Sequence, residues 1–122
     1  NVKQNIAIPV IANGDVSSRQ NMLDCLERSG ADAVMVGRGS IGKPWVFGQL
    51  LGSEHEPSFD ETITVFTQHI EQLALLEACK QTALNQARRL LKWYFPMLSE
   101  NQLSACYKLE YLVSLIAYLR SC

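Results

Sequence analysis

The chain has 122 residues, 11 basic against 12 acidic, a net charge of −1, and a composition of 48% hydrophobic and 19% charged residues. That balance excludes a global field that would gather nucleic acid, so any polyanion binding needs a local basic patch. No apolar stretch reaches the about 20 residues of a membrane helix, and no basic n-region with an apolar h-region opens the chain.

Asn1 to Asn5 lead into a buried-type strand without an initiating methionine, which predicts a chain that begins inside a larger protein. The first predicted strand is the apolar run Ile8-Pro9-Val10-Ile11-Ala12, with Pro9 tolerable where its missing N–H serves no ladder. The turn Asn13-Gly14-Asp15 follows. Ser17 or Ser18 then caps a helix running to about Arg28, with Met22, Leu23 and Leu26 on its inward face and Gly30 ending it. The second strand, Ala33 to Val36, is apolar on both faces, as a parallel strand covered by helices is. A second glycine turn, Gly37-Arg38-Gly39, comes after it.

Pro44 fits the first turn of a short helix carrying Trp45, Phe47 and Leu50-Leu51, with Trp45 and Phe47 as packing residues. Residues 52–57 form a polar linker. Beyond it the pattern is helical throughout. Ser58 and Glu61 suit a capping box, and Ile63, Phe66, Ile70, Leu73, Ala74 and Glu77 follow helical spacing with only the last polar. Leu84, Ala87, Leu91 and Tyr94 continue a stripe to Pro96, and length favours two helices over one between 59 and 95. Ser99 to Gln102 offers another capping box, and Leu109, Leu112, Val113, Ile116 and Leu119 line the last helix.

The four cysteines, Cys25, Cys79, Cys106 and Cys122, form no C-x-x-C pair or metal-ligand spacing, and His55 and His69 complete no zinc pattern. Reduced, unpaired thiols in a cytoplasmic protein are expected. Cys25 reads as a small apolar filler, and His69 has no partner that the sequence identifies.

The order strand, glycine turn, helix, strand, glycine turn puts two backbone loops side by side at the C-terminal edge of a parallel sheet. Such loops form a phosphate cradle after the seventh and eighth strands of (β/α)8 barrels. Gly14 can adopt positive φ and exposes amides to an anion, while Asn13 and Asp15 brace tight turns through side-chain bonds. A bare N-G-D occurs in ordinary loops. An arginine between glycines at the end of the neighbouring strand, Arg38, adds a charged fork suited to phosphate. In the helical half, which balances six acidic against six basic residues, Arg88, Arg89 and Lys92 are the one basic cluster on a helix; a solvated face is the plain alternative.

Ile8 to Val16, Gly30 to Gly39 and Gly42-Lys43-Pro44-Trp45-Val46-Phe47 together resemble the tRNA-dihydrouridine synthases, most closely the bacterial B-type branch. The resemblance is strong over residues 6–51. In the tail, Arg88-Arg89-Leu90-Leu91-Lys92-Trp93-Tyr94 is similar to an R-K-H-x-x-W-Y segment of the family's tRNA-contacting helical domain, with arginine for lysine and leucine for histidine. The resemblance implies the last two strands of a (β/α)8 TIM barrel over residues 1–51, the linker 52–57, and an all-α helical bundle of tRNA-binding type over 58–122. It implies reduction of a uridine C5–C6 bond in tRNA by FMN that NADPH has reduced. The FMN phosphate would rest on Asn13, Gly14, Asp15, Gly37 and Arg38, and tRNA on Arg88, Arg89 and Lys92, with Trp93 and Tyr94 packing.

A whole barrel takes about 250 residues. None of the four cysteines stands in the family's catalytic loop motif, so no catalytic residue is expected here, and no metal. The polypeptide alone is expected neither to reduce uridine nor to hold FMN tightly. Its unpartnered strands invite self-association. The competing readings are a non-catalytic RNA-binding helical module and part of another FMN-dependent barrel oxidoreductase.

Overall fold

The computed structural model describes residues 2–76 and 80–122, the side chains of Lys80 and Gln81 excepted, so the expectations for Glu77 and Cys79 lie outside the described residues. The chain divides into two compact units that meet between Glu56 and Pro57.

In the first unit, strands β1 (Ile11–Asn13) and β2 (Ala33–Met35) pair in parallel with Ile11 opposite Ala33 and Asn13 opposite Met35. Strand β1 starts later than its apolar run because Asp32 occupies the chain just before it. The Asp32 carboxylate accepts the Val10 N–H at 2.7 Å, and the Val10 carbonyl accepts the Asp32 N–H at 2.9 Å. Helix α1 (Arg19–Ser29) joins the strands; the Ser18 hydroxyl caps it by accepting the Asn21 N–H, and Gly30 ends it in the left-handed region at φ 64°. Capping leaves few orphan donors at the start, and glycine takes the left-handed stop at no steric cost.

The unit's core is small: Val16, Val46 and Leu50 are buried, with Met22, Cys25, Val34 and Val36 packed against them. Three expectations change here. Leu23 does not face inward but is exposed, because Met22 and Cys25 already fill the side of α1 turned to the core. Strand β2 is not covered on both faces, since only Val34 of Ala33–Met35 is sheltered. Helix α2 (Val46–Leu50) buries Val46 and Leu50, while Phe47 and Leu51 point to solvent and Trp45 is half-buried.

The second unit is helical: α3 (Phe59–Leu76), α4 (Lys80–Tyr94), α5 (Glu100–Lys108) and α6 (Leu112–Leu119). The rings of Phe66 and Tyr94 stand 5.2 Å apart. In one straight helix those residues would be roughly 40 Å apart, so α3 and α4 are two helices packed together. Both capping boxes form. Ser58 donates its N–H to Glu61 at 2.8 Å and accepts the Glu61 N–H at 3.2 Å, and Ser99 and Gln102 repeat the exchange ahead of α5.

Ile63, Phe66, Ile70, Leu84, Ala87, Leu91, Phe95, Leu115 and Leu119 are buried, with the rings of Phe59, Phe66, Tyr94 and Phe95 meeting edge to face. Tilted and T-shaped contacts of this kind place a positive ring edge on a negative face. His69, without a partner in the sequence reading, has one: its Nδ1 lies 3.0 Å from the Tyr94 hydroxyl. The last helical stretch is broken rather than continuous, with extended backbone at Leu109 and Tyr111 between α5 and α6. The break resets the helical phase, so Leu115 turns inward and Val113, expected inside, is exposed. Among the described residues no helix is long and apolar enough to cross a membrane, and no cluster of metal-ligating side chains occurs.

Candidate functional site

Parallel pairing of Asn13 with Met35 brings the segments after β1 and β2 to the same edge of the sheet. What holds them close is a glycine that the candidate set omitted. A Cβ placed on Gly39 would lie 2.2 Å from the Val16 carbonyl oxygen and 3.0 Å from Ser17 Cα. Only a residue without a side chain fits where the second turn presses on the backbone leaving the first. Nothing in the sequence local to either turn announces the contact.

Gly14 and Gly37 differ from Gly39, for a Cβ on either would meet nothing within 4 Å. Their backbone therefore faces open space where a ligand can approach. The left-handed residue of the first turn is Asp15, at φ 48°, and not Gly14 as expected. Aspartate is among the residues that tolerate that region, and here its carboxylate is held by Arg38 of the other turn. Among the described residues, no turn, loop or cap hydrogen bond occupies the amides of Asp15, Gly37 or Arg38. Two turns with uncommitted N–H groups at one sheet edge suit an anion of phosphate size.

Arg38 donates to the Asp15 carboxylate, joining the two turns by an ion pair that is largely exposed. A bare carboxylate would repel a phosphate; the guanidinium neutralises this one and keeps unused N–H donors of its own. Asn13, Gly14 and Asp15 also form one wall of an open cleft of about 600 Å³, whose other wall is Asp24, Cys25 and Arg28 of α1. Gly37 and Arg38 do not line that cleft.

At the other end of the sheet, Lys3 Nζ lies 2.7 Å from Asp32 and also donates to the Ile8 carbonyl at 3.2 Å. The lysine, with the Val10 amide second, holds the Asp32 carboxyl below its ordinary 3.8.

In the second unit the three basic candidates separate. Arg88 turns inward, where its guanidinium donates to the Leu109 carbonyl at 2.7 Å and its Nε–H is buried. Arg89 and Lys92 are exposed one helical turn apart. Tyr94 packs inside as expected, and burial raises its hydroxyl above the ordinary 10.0. Trp93, expected to pack, is instead 52% exposed. The phase of α4 explains this: Leu84, Ala87, Leu91 and Tyr94 complete the buried stripe and leave no inward position for residue 93.

The family model described as Dihydrouridine synthase (Dus) matches residues 1–110. The chain is 41% identical over 99 residues to the Synechocystis protein named Probable tRNA-dihydrouridine synthase 1, a match that covers 76% of this chain and 27% of that protein. It is 36% identical over 106 residues to tRNA-dihydrouridine synthase B of Pasteurella multocida, covering 82% of this chain and 32% of the relative. A Rickettsia conorii protein, Probable tRNA-dihydrouridine synthase, is 39% identical over 100 residues, with 76% and 30% covered. The chain thus spans about a third of the length of the curated relatives it matches. With the glycine turns and helices α3 to α5 inside the matched span, the chain belongs to the dihydrouridine synthase family.

Proposed function

We propose that this chain supplies the phosphate cradle and the RNA-facing helices of a flavin-dependent tRNA-dihydrouridine synthase acting in the cytoplasm. The observation that carries the reading is the joining of two open-amide turns by Gly39, on one edge of a parallel sheet, in a member of this family. The residues fit the phosphate of FMN: Asn13, Gly14 and Asp15 from one turn, Gly37 and Arg38 from the other. FMN reduced by NADPH would supply the hydride that saturates the uridine C5–C6 bond. This chain's own part is to bind and orient, through fixed amides and one guanidinium that need no rearrangement.

In this reading β1 and β2 take the places of the seventh and eighth strands of a (β/α)8 barrel, and the helical unit contacts tRNA. Arg89 and Lys92 carry that contact, because the Arg88 guanidinium is committed to Leu109. Cys25, the cysteine of the first unit, packs against that unit's core, which suits a structural rather than a proton-donating role.

Titration of the isotope-labelled chain with FMN, and separately with inorganic phosphate, tests the cradle. Amide resonances of Gly14, Gly37 and Arg38 are expected to shift with both ligands, weakly, and Arg38→Ala is expected to weaken both. Shifts that spare these residues would refute the cradle. Tight stoichiometric FMN retention by the chain alone would refute its dependence on further barrel strands.

A further inference from the structure

We propose that Arg89, Lys92 and Trp93 form an RNA-binding face on α4 in which an unpaired base stacks on the Trp93 indole while the two cations hold flanking phosphates. The inference rests on the tRNA reading above and adds to it a contact with an unstacked nucleotide.

Three observations converge. Trp93 is 52% exposed on a well-packed helix, although burying an indole is among the larger gains a side chain offers. Arg89 lies one helical turn from both Lys92 and Trp93, and all three are exposed, so their side chains share one surface. The sequence of α4 carries Lys80, Arg88, Arg89 and Lys92 and no acidic residue, whereas α3 opens with Asp60 and Glu61. An exposed aromatic flanked by cations, on a helix free of carboxylates, suits a polyanion whose bases have open faces. Single-stranded nucleic acid has that chemistry, combining backbone charge with base-to-aromatic stacking. Duplex RNA hides its base faces in the stack, so loops and ends are the targets. Arg88 contributes by holding Leu109 and not by touching RNA.

The test uses the whole chain with three probes: a tRNA transcript, an oligouridine strand and a blunt RNA duplex. The chain has two tryptophans, so Trp45→Phe leaves Trp93 as the sole reporter. Its fluorescence is expected to be quenched by tRNA and oligouridine and not by the duplex. Trp93→Ala is expected to weaken tRNA binding about 5- to 150-fold, with Trp93→Phe retaining most of it. Arg89→Ala and Lys92→Ala are each expected to flatten the salt dependence by roughly 0.7–0.9 in log–log slope. Wild-type binding by Trp93→Ala, or equal quenching by the duplex, would overturn the stacking contact while leaving the tRNA reading standing. No RNA binding by the unaltered chain in a gel shift would overturn both. Quenching that follows protein concentration without RNA would show the face to be a contact between copies, and overturn the proposal.

Discussion

At the scale of single residues, glycines with similar surroundings in the sequence do different work. Gly39 is where two backbones touch, so Gly39→Ala must displace the Val16 carbonyl. Overpacking of this kind costs about 1–3 kcal/mol, expected as a lowered urea midpoint followed by Trp45 fluorescence in a Trp93→Phe background. Gly14→Ala meets open space and is expected to change stability by less than about 0.5 kcal/mol, while blocking ligand approach to the amides.

Asp32 makes a pH prediction with a definite sign. Lys3, then the Val10 amide, lowers its carboxyl in the folded state. The unfolded chain therefore takes up the proton first as pH falls. The stability Asp32 contributes is complete above its unfolded value of 3.8 and is lost as pH drops through the lower folded value. Asp32→Asn is expected to remove that part of the acid sensitivity in melts recorded between neutral pH and the acid limb. An unchanged acid limb would show that the carboxylate carries none of it.

At the scale of elements, the helices separate residues that stand side by side in the chain. Arg88 and Arg89 are adjacent, yet one serves the end of α5 through Leu109 and the other faces solvent. Hydrogen bonds to charged groups contribute about 1.5–3 kcal/mol, so Arg88→Ala is expected to destabilise the helical unit by that order, read from circular dichroism melts. Arg89→Ala is expected to stay within about 0.5 kcal/mol, the ordinary range for a surface position. Equal effects of the two substitutions would contradict the division of roles. The buried stripes of α3 and α4 and both capping boxes were legible in the sequence, because helix spacing and N-cap chemistry are local rules. The break between α5 and α6 was not. It lies at Leu109 to Tyr111, where no proline or glycine marks it, and it is accompanied by a contact from Arg88 on a different helix.

For the whole molecule, the apolar surface of the first unit sets its behaviour in solution. Ile8, Ile11 and Met35 are 67%, 66% and 49% exposed, and among the described residues β1 and β2 make a two-stranded sheet. Paired strands with free edges and bare apolar side chains recruit further strands. The isolated chain is expected to self-associate through this face, seen as a sedimentation coefficient that rises with concentration and falls on Ile11→Lys. A monomer at all concentrations, with one cooperative melt, would count against it. What the sequence determined by itself was everything carried by short spacing: the helix stripes, the caps, the two glycine turns and the motifs of the family. Tertiary structure alone decided which glycine is sterically required, that Asp15 rather than Gly14 takes the left-handed turn and pairs with Arg38, and that Trp93 faces solvent. Those outcomes depend on atoms far apart in the chain meeting in space, and no local pattern encodes a distance.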